Sequence, residues 1–193
     1  MDTPVKLIVG LGNPGPQYDK TRHNAGAWFV EQLIKQTSSS VRLEKKFNGL
    51  YGKLQLEDQE CHCLLPTTFM NHSGQAIRAV AEFYQIPVTA ICVAHDDLDL
   101  PPGVVKLKRG GGHGGHNGLR DTILQLGGKD FLRLRFGIAH PGHKDKVHDY
   151  VLGRPSKADA DLIQQAITSA LKLTPELLRG KEQYVMLQLH SAV

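Results

Sequence analysis

The sequence predicts an α/β fold, a single three-layer α/β/α domain spanning residues 1–193 around a mixed, mostly parallel central sheet. Two observations carry that expectation. Short apolar runs of strand length alternate with longer stretches whose apolar residues recur at helical spacing, the pattern of strand and helix crossovers. The 193-residue chain is also long enough to bury one full hydrophobic core, and no Pro- or Ser-rich stretch divides it.

Taken in order, Val5-Lys-Leu-Ile-Val9 reads as a buried strand, and Ala25 to Gln36 as a helix with apolar positions at Trp28, Phe29, Leu33 and Ile34. Residues 47–56 and 60–65 read as two strands joined by the polar turn Glu57-Asp58-Gln59. A helix is expected from Ser73, its cap, to Tyr84, with Ile86-Pro87 ending it and Ala90 to Ala94 forming a central strand. Val104 to Lys108 is the next strand. A short helix from Leu119 to Leu126 and a strand from Phe131 to Ala139 follow. From Ser156 to Arg179 the pattern is helical, with Ser156 as N-cap and Pro175 as a break.

Between residues 103 and 146, nine Lys or Arg stand against three Asp, a local +6 that leaves −2 for the rest of a chain whose total is +4. Charge concentrated in this way favours a phosphate-bearing partner, although a charge run by itself is more often a solvated face. Cys61, Cys63 and Cys92 are sparse, and Cys61-His-Cys63 lacks a second ligand pair to complete a zinc site. Reduced, buried thiols are expected. Met-Asp-Thr-Pro-Val at the start has neither the basic nor the apolar region of a signal peptide, and no apolar run matches a bilayer, so a cytoplasmic protein without a membrane partner is expected.

The densest concentration of unusual residues is Lys106-Leu-Lys-Arg-Gly-Gly-Gly-His-Gly-Gly-His-Asn-Gly-Leu-Arg120, in which five of the six residues from Gly110 to Gly115 are glycine. Such a backbone takes positive φ and approaches a ligand closely, so the segment reads as a mobile gate beside an anionic substrate. A flexible linker is the competing interpretation, but linker glycines interleave with serine rather than with His113, His116 and Asn117. Gly10-Leu-Gly-Asn-Pro-Gly15 matches the dinucleotide fingerprint only formally. Pro14 and Pro16 restrict the backbone where a helix should open, and no acidic residue ends a second strand about 20 residues on. A phosphate-binding Walker loop is absent because no Gly-Lys-Ser or Gly-Lys-Thr occurs.

Ligands in α/β domains gather beyond the carboxyl ends of strands, and Asn13, Met70-Asn71 and Asp96 each follow an apolar run. His23 precedes the first helix, and Asp96 follows the central strand. A carboxylate behind an imidazole fixes its tautomer and stabilises the imidazolium, leaving the other nitrogen to deprotonate water. A covalent serine route is weaker, since no Gly-x-Ser-x-Gly elbow exists. Asn13, Asn71 and Asn117 are each compatible with a plain turn, and together they suit amide groups that orient a carbonyl and a water.

Four blocks carry a family resemblance: Gly10-Leu-Gly-Asn-Pro-Gly-Pro-Gln-Tyr-Asp-Lys-Thr-Arg-His-Asn24, Pro66-Thr-Thr-Phe-Met-Asn-His-Ser-Gly74, His95-Asp-Asp-Leu-Asp-Leu-Pro-Pro-Gly103 and Gly110-Gly-Gly-His-Gly-Gly-His-Asn-Gly-Leu-Arg120. With the weaker Arg133-Leu-Arg-Phe-Gly-Ile-Ala-His-Pro-Gly142, they cover most of residues 5–155. In these the chain resembles the bacterial-type peptidyl-tRNA hydrolases. The resemblance implies hydrolysis of the ester joining a peptide to the 3′ ribose of tRNA, recycling prematurely released peptidyl-tRNA. By motif position it implies His23 as the base activating water and Asp96 as the group orienting it. Asn13 and Asn71 would position peptide and water, Met70 would line the pocket, and Tyr18 would border it. His116 with Asn117 would flank the acceptor end. Lys108 and Arg135 would hold the 5′ phosphate, with Lys106 and Arg109 as further contacts to the acceptor arm. The implied partner is peptidyl-tRNA, met at its acceptor arm and 3′ CCA end by a monomer with no metal or organic cofactor. The chain departs from the pattern at Leu65, where relatives often carry a basic residue, and matches least after Ser156.

Two other classes stay open on the residues alone. A non-catalytic tRNA-binding module would use the basic zone but has no need of His23, Asp96 and three cleft asparagines together. A metal-dependent hydrolase would draw on His113, His116 and Asp96 or Asp97, but a glycine loop is a poor platform for metal ligands.

Overall fold

The computed structural model describes residues 2–191. Its strands are β1 (Leu7–Gly10), β2 (Val41–Glu44), β3 (Gly49–Leu56), β4 (Gln59–Pro66), β5 (Ile91–Asp97), β6 (Val105–Arg109) and β7 (Leu132–Gly137). They form one mixed sheet in the order β2-β3-β4-β1-β5-β7-β6. β4, β1, β5 and β7 run parallel through its centre, while β3 and β6 are antiparallel to their neighbours. The central strands are apolar along their length because helices cover both faces: every residue of β1 and the first six of β5 are buried.

The helices are α1 (Ala25–Gln36), α2 (Ser73–Phe83), α3 (Asn117–Leu126), α4 (Val147–Val151), α5 (Lys157–Leu178) and α6 (Glu182–Ser191). Strand alternation sorts them into two layers. Ile8 of β1 and Cys92 and Ala94 of β5 face α1, α5 and α6, where they pack with Phe29, Val30, Ile167 and Val185. Leu7, Val9, Ile91 and Val93 face the opposite way, against Ile77 and Val80 of α2 and Leu119 of α3. The three-layer α/β/α architecture is as the sequence predicts.

Several boundaries differ from expectation. The first strand begins at Leu7, although Val5 is buried. β2 was not foreseen, since Val41-Arg-Leu-Glu44 is a short, half-polar edge strand that exists through its pairing with β3. Ser73 is the first residue of α2 rather than its cap, and its hydroxyl donates to the Met70 carbonyl at 2.8 Å. Pro175 does not break α5. Near the helix end it removes a single backbone hydrogen bond, and the burial of Leu177 and Leu178 carries the helix on until Gly180, at φ +84°, turns the chain. α6 was likewise unforeseen. It lies along β6, clasped by Arg109, whose guanidinium donates to both Glu182 carboxylate oxygens and to the Thr89 and Asp130 carbonyls.

One close approach sets the position of the first helix. A Cβ at Gly26 would lie 2.1 Å from the Ala94 carbonyl oxygen, so only glycine lets α1 rest directly on β5. The residues on either side of that contact, His23 and Asp96, are thereby brought together. Gly26→Ala is expected to lower stability by about 2 kcal/mol in chemical denaturation, the usual size of overpacking. Gly128→Ala, where a Cβ meets open space, should change it by less than about 0.5 kcal/mol.

Candidate active site

Asp96 lies on β5, one residue from the strand's end and not beyond it, and is 2% exposed. His23 sits in a 3-10 turn, Arg22–Asn24, immediately before α1. Its Nδ1 is 2.9 Å and 3.0 Å from the two Asp96 carboxylate oxygens, so the ring hydrogen is on Nδ1 and Nε2 is left as a lone pair. His116 reaches the same carboxylate from the other side, with Nε2 at 2.8 Å from Asp96 Oδ1. It is also the N-cap of α3, where its Nδ1 accepts from the Gly118 and Leu119 amides. The cap fixes the tautomer: a ring that accepts at Nδ1 must donate at Nε2.

This arrangement sets the charge states. Burial pulls the His23 pKa down, but the Asp96 charge and hydrogen bond outweigh it and leave the group above its usual 6.5. For Asp96 burial opposes ionisation, yet the two imidazoles hold the carboxyl well below the usual carboxylate range. His95 faces the α2 and α3 side of the sheet, its ring centroid 5.2 Å from that of His116, and burial depresses its pKa to about 4.

These groups form the floor of a cleft of about 970 Å³. Asn13, Met70, Asn71, His116 and Asn117 line it with His23 and Asp96, and Lys108 and Arg135 lie at its wall. Asn13 also braces the site: its Oδ1 accepts from the Met70 amide at 2.7 Å, and its backbone exchanges two hydrogen bonds with the Asn24 side chain. Asn117 is exposed, and its Oδ1 accepts from Arg120. Tyr18 is not among the lining residues. It stands behind Phe69, edge to face with ring centroids 6.2 Å apart. Phe69 does line the cleft and is 55% exposed, a large apolar side chain facing solvent that sequence reasoning passed over within the Pro66 block.

The cations divide into two groups. Lys106 pairs with Arg135 and Lys108 with Arg133 across β6 and β7, so all four share one face of the sheet. Arg135 Nε donates to Asp97 at 2.8 Å. Arg133 is buried, although it too lines the cleft. It donates to the carbonyls of Gly111, Gly112 and Lys129 and lies over the Phe131 ring. Two expectations change accordingly. The glycine segment is tethered at its start rather than a gate along its whole length, and Arg109, committed to α6, is not available to a substrate. Gly110, Gly111, Gly114 and Gly115 do take positive φ.

Among the described residues, the three groups that bring ligand-type atoms within 4.8 Å of one another are His23, Asp96 and His116. His113 is not one of them. Its Nδ1 accepts from the Gly115 amide, closing a turn of the loop.

An imidazole with one nitrogen held by a buried carboxylate and the other without a partner, in a cleft walled by cations, is an arrangement found in hydrolases. Comparison with known proteins gives the family. The peptidyl-tRNA hydrolase family model matches residues 7–193. The chain is 55% identical over 190 residues to the peptidyl-tRNA hydrolase of Pseudomonas paraeruginosa (strain DSM 24068 / PA7), covering 98% of both chains. It is 54% identical over 192 residues to that of Vibrio parahaemolyticus serotype O3:K6 (strain RIMD 2210633), covering 99% of this chain and 98% of the relative. The crystal structure of the Acinetobacter baumannii enzyme superposes with a TM-score of 0.94 at 48% identity, covering 96% of this chain and 94% of that one. The chain therefore belongs to the peptidyl-tRNA hydrolase family, and its activity is peptidyl-tRNA hydrolysis.

The charge states are open to direct measurement. In an NMR titration His23 should protonate above pH 6.5 in the folded protein, and Asp96→Asn should lower that midpoint by removing the anion that holds the proton. His95 should stay neutral down to about pH 4.

Proposed function

We propose that a water activated by His23 cleaves the ester between the peptide and the 3′ ribose of tRNA, without a covalent enzyme intermediate. The observation that supports this reading is the commitment of His23 Nδ1 to Asp96, which leaves Nε2 as its proton-accepting atom. The water oxygen bonds to the ester carbonyl carbon as its proton passes to Nε2. Collapse of the tetrahedral intermediate breaks the bond to the 3′ oxygen, which takes that proton from the imidazolium. Asp96 holds the ring in register and stabilises its cationic form. The Asn13 Nδ2 donor and the Asn71 amide orient the carbonyl and the water.

In this reading Met70 and Phe69, with Tyr18 behind, receive the acyl group. His116 and Asn117 flank the 3′ CCA end, with His116 also fixing Asp96 from its second side. Lys108 and Arg135 hold the 5′ phosphate of the acceptor arm. Arg135 uses only its Nε on Asp97, so its terminal nitrogens have no protein partner among the described residues. We further take residues 1–193 as one domain, acting as a cytoplasmic monomer with neither metal nor cofactor. Among the described residues no helix is long and apolar enough to cross a membrane.

The test is release of tRNA from N-acylated and free aminoacyl-tRNA side by side, with preference for the blocked form expected. His23→Ala should lower kcat by about 10³-fold with little change in KM. Unchanged turnover would refute the mechanism. Because the base must be unprotonated and its pKa is raised, kcat/KM should fall as pH drops through a value above 6.5. In Asp96→Asn that limb should move to lower pH, beneath a much lower plateau.

A further inference from the structure

His95 is the buried imidazole of the cleft, among the described residues, that this hydrolytic step leaves unused. It is 3% exposed, yet it lines the cleft. Its Nδ1 lies 2.7 Å from the Asp96 carbonyl oxygen and must carry the ring hydrogen. Nε2 is therefore a lone-pair acceptor, and it has no partner. Buried acceptors are almost always paired, and an unpaired one beside a ligand cleft awaits a donor. Its depressed pKa, about 4, keeps it an acceptor through the neutral range.

The hydrogen bonds already made around the dyad narrow which substrate group could reach this acceptor. The Oδ1 atoms of Asn13 and Asn117 already accept from the Met70 amide and Arg120, so the groups these side chains have wholly unpaired are their N–H donors. His116 has both nitrogens occupied, and His23 Nε2 serves the water. Of the neutral side chains that line the cleft in the segments around Met70 and Asp96, Asn71 Oδ1 and His95 Nε2 are acceptors with no partner among the described residues. The substrate brings two donors beside the ester: the amide N–H of the last peptide residue and the ribose 2′-hydroxyl next to the reacting 3′ oxygen. Asn71 follows Phe69 and Met70 on the apolar side of the cleft. His95 is paired in register with Arg135, on the sheet face that carries the four cations.

We propose that His95 is a specificity residue whose Nε2 accepts a hydrogen bond from the 2′-hydroxyl of the terminal ribose. This assignment rests on the esterase reading above and deepens it. The hydroxyl is what separates an RNA end from a DNA end, and a bond there also fixes the adjacent 3′ oxygen before His23.

The experiment crosses two substrates with three proteins. N-acetyl-aminoacyl-tRNA ending in adenosine, and the same tRNA ending in 2′-deoxyadenosine, are hydrolysed by wild type, His95→Phe and His95→Gln. The 2′-hydroxyl alters the intrinsic reactivity of the ester, but equally for all three proteins, so the ribo-to-deoxy ratio of kcat/KM isolates the contact. That ratio should fall by about tenfold in His95→Phe, the loss of one neutral hydrogen bond. His95→Gln, which restores an acceptor, should recover part of it. The same ratio in all three proteins would overturn the assignment. A second measurement needs no variant. In wild type, the ¹⁵Nε2 resonance of His95 should shift with a non-hydrolysable 3′-amide analogue of the acylated terminal adenosine, and not with its 2′-deoxy counterpart. Equal shifts would also overturn it. Failure of wild type to release tRNA from the ribo substrate would instead refute the esterase reading itself.

Discussion

A buried carboxylate is the constraint around which this molecule is arranged. Asp96, almost wholly removed from water, remains ionised only because two imidazoles donate to it from opposite sides. An unpaired anion in that position would neutralise or unfold its surroundings. Each donor comes from a different layer. His23 enters at the start of α1 and His116 at the start of α3, on opposite faces of the sheet. The carboxylate thus joins the two helical layers through the central strand.

The groups that would perform chemistry therefore also perform structural work. Asn13 ties the loop after β1 to the turn before α2 while presenting its amide nitrogen to the cleft. His116 caps α3 while holding Asp96. Pre-organisation of this kind costs little at the moment of reaction, since the dipoles are fixed on folding. It also means that replacing either residue changes stability and rate together, and the two effects must be separated by measuring both.

Much of this was legible in the sequence. Strand and helix periods identified the layers, and the position of Asp96 just after an apolar central run, which the structure moves onto the strand itself, with His23 ahead of the first helix pointed to the dyad. Short-range patterns reveal less where long-range partners decide. β2 exists because β3 pairs with it, Pro175 is carried through by the burial of its neighbours, and α6 is held by Arg109 from a strand 73 residues away. The fates of the arginines were hidden for the same reason. Nothing local distinguishes Arg133, bonded to glycine carbonyls, from Arg135, paired with Asp97. Phe69 escaped notice because an apolar residue in an apolar block reads as core until its exposure is known.

The engagement of Arg133 by the glycine segment bears on how this protein would meet a polyanion. Of the nine cations between residues 103 and 146, Arg133 is bound to its own backbone, and Arg109 and Arg135 are ion-paired with Glu182 and Asp97. Lys106, Lys108, Arg120, Lys129, Lys144 and Lys146 have no ion pair among the described residues, Arg120 donating only to the Asn117 amide oxygen. Counterions leave an RNA only for charges that reach its phosphates, so the steepness with which binding weakens in salt counts these unpaired cations and the free end of Arg135, and not the formal total. A chain whose formal charge in this region is +6 would therefore show a salt dependence set by which side chains are unpaired, not by that total.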